Sequence, residues 1–81
     1  MIDAVTKFCT ELCDEHGVGL TEWQMSFLVE LVHSRRPIVR KGKIFSSVSP
    51  NEDITEWCVD KAHRIADIPY GDIIQMSVLD I

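Results

Sequence analysis

Cys9, Cys13 and His16 follow one another at steps of four and three residues, the spacing that aligns side chains along one side of an α-helix. With Cys58 and His63 they supply thiol and imidazole groups, the ligand types of tetrahedral zinc sites. The spacing lacks the tight Cys-x-x-Cys knuckle of strong zinc signatures. All three cysteines also occupy apolar positions of helical patterns, where a free thiol behaves as a small core residue. The expectation is therefore a core role, with no metal and no cofactor. Three cysteines, two of them on one helix face, do not make a disulfide framework, and a reducing cytoplasm is the expected setting. Cys–His nucleophilic catalysis needs an electropositive, partly exposed thiol, and these thiols sit among acids. The acidic pairs Asp14-Glu15 and Glu52-Asp53 read as solvated charge at helix ends, the second pair near a helix start. His33 falls near a helix end. No catalytic constellation emerges, and the chain is not expected to be an enzyme.

Arg40-Lys41-Gly42-Lys43 invites comparison with a phosphate-binding loop. That loop needs a glycine five residues before the Gly-Lys pair and a Ser or Thr after it. Pro37 and Ile44 hold those positions, so one backbone donor and the magnesium-binding hydroxyl are both missing. What remains is an unusual order of charge. Residues 1–30 carry one basic residue against six acids, residues 31–51 carry five basic residues and no acid, and residues 52–81 carry two basic residues against seven acids. Five of the eight cations, Arg35, Arg36, Arg40, Lys41 and Lys43, lie within nine residues. Such a cluster steers an acidic partner and raises its association rate. The partner expected is a protein with an acidic surface, a second copy of the chain included. The bland alternative is a solvated loop whose charge offsets helix carbonyls and nearby acids. Nucleic acid is the competing partner for residues 35–43. It is disfavoured by a pI near 4.9, by the lack of stacking aromatics in 35–43, and by the lack of three clean helices before the hairpin.

The stretch Leu20-Thr21-Glu22-Trp23-Gln24, an apolar helix, and then Arg36-Pro37-Ile38-Val39 resembles the entry segment ahead of the nucleotide loop in phage terminase and helicase-type ATPases. The resemblance spans residues 20–39, about a quarter of the chain, and its motif is not specific. The sequence departs from it where the catalytic residues would stand, and 81 residues cannot hold the ATPase core. What it implies is a phage-type origin, similar in size and style to small accessory proteins of bacteriophages, which commonly bind one host or phage protein. No site residue carries over.

The elements that must position these residues belong to a single domain, 1–81. With 46% hydrophobic and 26% charged residues the chain is neither disordered nor low in complexity. Its uncharged runs are far shorter than the ~18–20 apolar residues of a membrane span, and Asp3 and Lys7 interrupt any signal-peptide pattern. Helical periodicity predicts a first helix over about 2–16, closed by Gly17. Thr21 and Gln24 form a capping box that starts a second helix, about 22–35, ended by Arg35, Arg36 and Pro37. Trp23, Met25, Phe27, Leu28, Val29, Leu31 and Val32 make it apolar on nearly every side. Such a helix is normally central, and a chain of this length has few neighbours to offer it, so self-association or a partner is expected. A β-hairpin over 38–45 turns at Lys41-Gly42. Ser49-Pro50-Asn51-Glu52 predicts the start of a third helix, about 50–67. In the tail, Ile74, Met76 and Val78 alternate with polar residues and predict a strand over 73–80 that pairs with 38–45. The alternative is a fourth C-terminal helix capped by Asp72 and Gln75. The fold class is thus α+β, or mostly α on the alternative. Tyr70, between Pro69 and Gly71, is the aromatic expected outside. An exposed tryptophan would become the leading anchor for a partner.

Overall fold

The computed structural model describes residues 3–49 and 52–77. In chain order it has helices α1 (Ala4–His16) and α2 (Glu22–His33), strands β1 (Pro37–Arg40) and β2 (Lys43–Ser46), and helices α3 (Thr55–Ala66) and α4 (Tyr70–Ile73). The fold is α+β, and the single hairpin among four helices also fits the mostly-α description. No helix among the described residues is long and apolar enough to cross a membrane.

Asp3 begins α1: its Oδ1 accepts the Thr6 amide at 2.8 Å, which satisfies one of the donors left over at a helix start. Ile2, expected in this helix, lies outside the described residues. Gly17 ends α1 with a φ of +68°, and the Val18 amide donates to the Cys13 carbonyl at 2.8 Å. Val5, Phe8, Cys9, Leu12 and Cys13 form the buried face. The capping box on α2 is formed in both directions, Gln24 N to Thr21 Oγ1 at 3.2 Å and Thr21 N to Gln24 Oε1 at 2.9 Å. Phe27, Leu28, Leu31 and Val32 are buried, and α1, α3 and α4 all pack on this helix. Its central place follows from the all-round apolar pattern. Three neighbours cover most of α2, and Trp23 on its first turn stays 57% exposed.

At the hairpin, Val39 stands opposite Ile44 and Arg40 opposite Lys43. Lys41 and Gly42 both have left-handed backbone, φ +51° and +74°, which matches a two-residue turn to the twist of its strands. Ile44 is fully buried and ties the hairpin to the core.

Two expectations are overturned together. The third helix starts at Thr55 rather than near 50, because residues 52–54 pair along the free edge of β2. There the Ser46 amide donates to the Glu52 carbonyl at 3.2 Å and the Ile54 amide to the Ile44 carbonyl at 2.9 Å. Ser49 does not cap the helix; its carbonyl accepts the Glu52 amide in a turn. The cap position falls to Ile54, which has no capping side chain; Asp53 just before it accepts at Oδ1 from the Thr55 amide at 2.9 Å and the Thr55 hydroxyl at 2.6 Å. Pro50 and Asn51, part of the expected start, lie outside the described residues.

The same edge pairing removes the strand expected over 73–80. The place beside β2 is already taken, and Tyr70–Ile73 turns into α4 against α2. Ile73 is buried and Ile74 is 54% exposed, the reverse of the alternating pattern. A fourth helix is thus present, but it starts after Pro69 rather than at an Asp72 cap. Residues 78–80 of the expected strand lie outside the described residues.

The core joins α1, α2 and α3, with Ile44, Ile54 and Ile73 contributed by the hairpin, the 52–54 segment and α4. Each of the fully buried Leu28, Ile44, Ile54 and Ile65 gives about 1.5–3 kcal/mol over an exposed position. That is a large share of what a domain this small needs.

Candidate functional site

Two surface regions stand out, one at each end of α2. The first is built around Gln24. Its side chain closes the capping box, and its Nε2 also donates to the carbonyls of Ile65 at 3.1 Å and Ile68 at 3.0 Å. One buried amide therefore satisfies the start of α2 and the end of α3. It also fixes the chain two residues before Tyr70. Consequently Tyr70 meets Trp23 edge-to-face, ring centres 5.6 Å apart and planes 70° from parallel, a favoured aromatic geometry. Beside this pair runs a groove of about 360 Å³ lined by Trp23, Phe27, Glu30, Ile73, Ile74 and Met76 among others. Trp23, Tyr70 and Ile74 are each more than half exposed. Trp23 and Ile74 thus lie uncovered in one groove, and Tyr70 lies uncovered beside it against Trp23.

A second groove of about 390 Å³ runs along the other side of α2, with Met25 and Val29 in it and Asp3, Thr6 and His33 on its rim. Ser26 and Glu30 border both grooves. His33 Nε2 lies 3.7 Å from Asp3 Oδ2, where the end of α2 meets the start of α1.

The cationic residues do not form one patch. Arg35 pairs with Glu52 and holds its guanidinium over the Trp57 ring, 4.9 Å from the centroid. It braces the turn after α2 against α3. Lys61 lies over the same ring at 5.8 Å. Arg36 is exposed, has left-handed backbone at φ +48°, and makes no ion pair among the described residues. Arg40 sits over the Phe45 ring at 4.4 Å. It shares a shallow depression of about 480 Å³ with Lys41, Lys43 and Phe45. Arg40 and Lys43 face each other directly across the strands, an arrangement that costs stability through like-charge repulsion. Lys43 also feels Asp53. The structure thus brings Arg40, Lys41 and Lys43 together, engages Arg35 internally, and leaves Arg36 at the end of α2. Tyr70 belongs with Trp23. The sequence made either tryptophan the leading anchor if exposed, and it is Trp23 that the structure leaves exposed. The second role of Gln24 left no sequence signal, because its acceptors are backbone carbonyls more than forty residues away.

The cysteines are free and buried. Burial, with a small contribution from neighbouring charge, pushes the thiols of Cys9 and Cys58 up to about 12 and raises that of Cys13. Such thiols stay protonated at neutral pH, and it is the thiolate that attacks or ligates. His16 and His63 are exposed, and no cluster of three metal-ligating side chains occurs among the described residues. Of the acids first read as terminal charge, Glu52 holds Arg35 and Asp53 accepts from Thr55 at the start of α3.

Compared with known proteins, the chain matches no family profile, no curated protein and no solved structure.

Proposed function

We propose that this chain is a non-enzymatic protein-binding module that docks through the groove beside Trp23 and Tyr70. The observation that carries this reading is that Trp23 and Ile74, each more than half exposed, line a single groove, with the equally exposed Tyr70 packed against Trp23 beside it. Exposed tryptophan and tyrosine on a rigid element are the residues most often found to dominate binding energy. Such a patch is costly to leave in water. The Arg40, Lys41 and Lys43 tip supplies the long-range term: clustered cations around an opposed pair draw in an acidic surface and speed the encounter. Lys41 adds support, since a lysine holds a left-handed position that glycine or asparagine would fill more easily. Three buried thiols suit a reducing compartment. The biological role that fits is a small phage-type accessory or inhibitor protein acting on a host or phage protein.

The test is capture from a cell lysate by the immobilised chain, repeated with Trp23→Ser and with Arg40→Glu/Lys41→Glu. A protein retained by the wild type, lost with Trp23→Ser and captured more slowly by the charge variant supports the reading. Equal retention by all three sinks it. The second reading, nucleic-acid binding by residues 35–43, rests on the same Arg40–Lys43 tip. It wins if DNA or RNA is retarded in a gel at near-physiological salt and Arg40→Glu/Lys41→Glu abolishes the shift.

A further inference from the structure

Along α2, the exposed residues Trp23, Ser26, Glu30 and His33 recur at steps of three, four and three. That is the spacing of a helix seam that faces another helix. The seam is a ridge with a groove on each side, and Ser26 and Glu30 border both grooves. A ridge between two grooves is the relief against which a second helix packs.

Charge says which helix fits. Glu22 stands in the first turn of α2, and Arg36 stands just past its end without an ion pair among the described residues. A parallel copy would set Glu22 against Glu22 and Arg36 against Arg36. An antiparallel copy related by a two-fold axis sets Glu22 against the partner's Arg36 twice over, and it opposes the helix dipoles favourably. An axis passing near Leu28 places Trp23 opposite the partner's His33, Ser26 opposite the partner's Glu30, and Glu22 opposite the partner's Ser34, two residues short of the partner's Arg36, a gap of about 3 Å along a helix that an arginine side chain spans. The surface is therefore complementary to itself, as a two-fold interface must be. Arg36 strengthens the case: it holds a left-handed conformation that glycine would adopt without strain, and so keeps a long cation at the end of the ridge.

We infer that the occupant of the α2 face is a second copy of this chain, docked as an antiparallel two-fold dimer along α2. This rests on reading the Trp23 face as a docking surface. A stable dimer of ordinary size covers about 800 Å² on each subunit, out of 5330 Å² here. Both grooves must therefore close, with α4 on one side and the start of α1 on the other.

The deciding experiment is sedimentation equilibrium from about 10 μM to about 1 mM on the wild type, Glu22→Arg, Arg36→Glu, the double variant and an equimolar mixture of the two single variants. Far-UV circular dichroism checks that each is folded. Each single variant creates two like-charge pairs in its own dimer and is expected to raise the dimer Kd about tenfold. The double variant restores both pairs with signs exchanged. In the mixture, Glu22→Arg pairs with Arg36→Glu at both contacts, so a heterodimer of near wild-type affinity forms. A wild type that stays monomeric at about 1 mM overturns the inference, as does a mixture that dimerises no better than its components. Trp23→Ser dimerising as tightly as the wild type overturns it too. A monomer that still captures a lysate protein through Trp23 sinks the dimer and leaves the docking reading standing.

Discussion

The two ends of α2 are held by opposite kinds of chemistry. At its start, a buried neutral amide, Gln24, ties three segments together through hydrogen bonds to backbone. At its end, the contacts are charged and solvent-facing: Arg35 with Glu52, Arg35 over Trp57, and His33 near Asp3. Neutral buried bonds are indifferent to salt and expensive to leave unmade. Partly exposed ion pairs contribute little each and are screened. The difference separates rigidity from recognition. The aromatic groove is built on the rigid end, where a fixed ring pair loses little entropy on binding. The clustered cations of the hairpin tip extend from the adjustable end, where they act at a distance.

Changing Gln24 should give the largest effect. Gln24→Leu keeps most of the volume but leaves the Ile68 carbonyl and the Thr21 amide without their partner, while the Ile65 carbonyl keeps the Ile68 amide, at an expected cost of about 2–3 kcal/mol. Gln24→Glu is expected to cost more, about 3–5 kcal/mol, because a buried carboxylate would face those carbonyls. Its deficit should shrink on acidification, as the protonated acid can donate where the amide did. Urea unfolding followed by circular dichroism measures both. A loss under about 1 kcal/mol for Gln24→Leu would mean that the rigid end is held by apolar packing alone. Tyr70 should lose its fixed contact with Trp23 in either variant, visible as a change in tryptophan emission.

A smaller effect is expected at the other end. A double-mutant cycle on Arg35→Ala and Glu52→Ala should give a coupling of about 0.5–1 kcal/mol at low salt. It should fall sharply at 1 M salt, where the screening length is about 3 Å. Arg35→Ala alone should lose more than the coupling, since it also uncovers the Trp57 ring. A coupling unchanged by salt would erase the contrast between the two ends.

The legible parts of the sequence were those in which cause and effect lie within one or two turns. Gly17, the Thr21–Gln24 box and the Lys41-Gly42 turn all act locally, and all three are found where local chemistry put them. The misread segments were settled from a distance. Ser49 to Glu52 has a helix-start pattern, but the free edge of β2 recruits residues 52–54 by backbone pairing, and Asp53-Ile54-Thr55 starts the helix instead. The tail alternates like a strand, yet that edge is filled and burial of Ile73 on α2 decides its form. The site divides in the same way. The five cations were visible as a run of charge. That Arg35 is engaged by Glu52, and that Tyr70 belongs with Trp23, depends on residues 17 and 47 positions apart in the chain.

Acid should loosen one end of α2 before the other, the subtlest of these effects. The Asp53 carboxyl is held below the ordinary carboxylate value by the Thr55 hydroxyl and then the Thr55 amide, and that of Asp3 mainly by the Thr6 amide. A carboxyl whose folded pKa is depressed contributes stability that is full above its unfolded pKa and fades as the pH falls through the folded value. Both groups lie on the charged side of the comparison, Asp3 beside His33 and Asp53 beneath the hairpin. As the pH falls below the ordinary carboxylate value, protection against amide exchange should therefore be lost first at Thr6 and Thr55, while the Thr21 amide, bonded to neutral Gln24, keeps its protection relative to global unfolding. Asparagine can still cap but cannot titrate, so Asp3→Asn/Asp53→Asn should flatten this dependence. Simultaneous loss of protection at Thr6, Thr55 and Thr21 would mean that the two ends open as one unit, and that the division between a rigid and an adjustable end does not hold in acid.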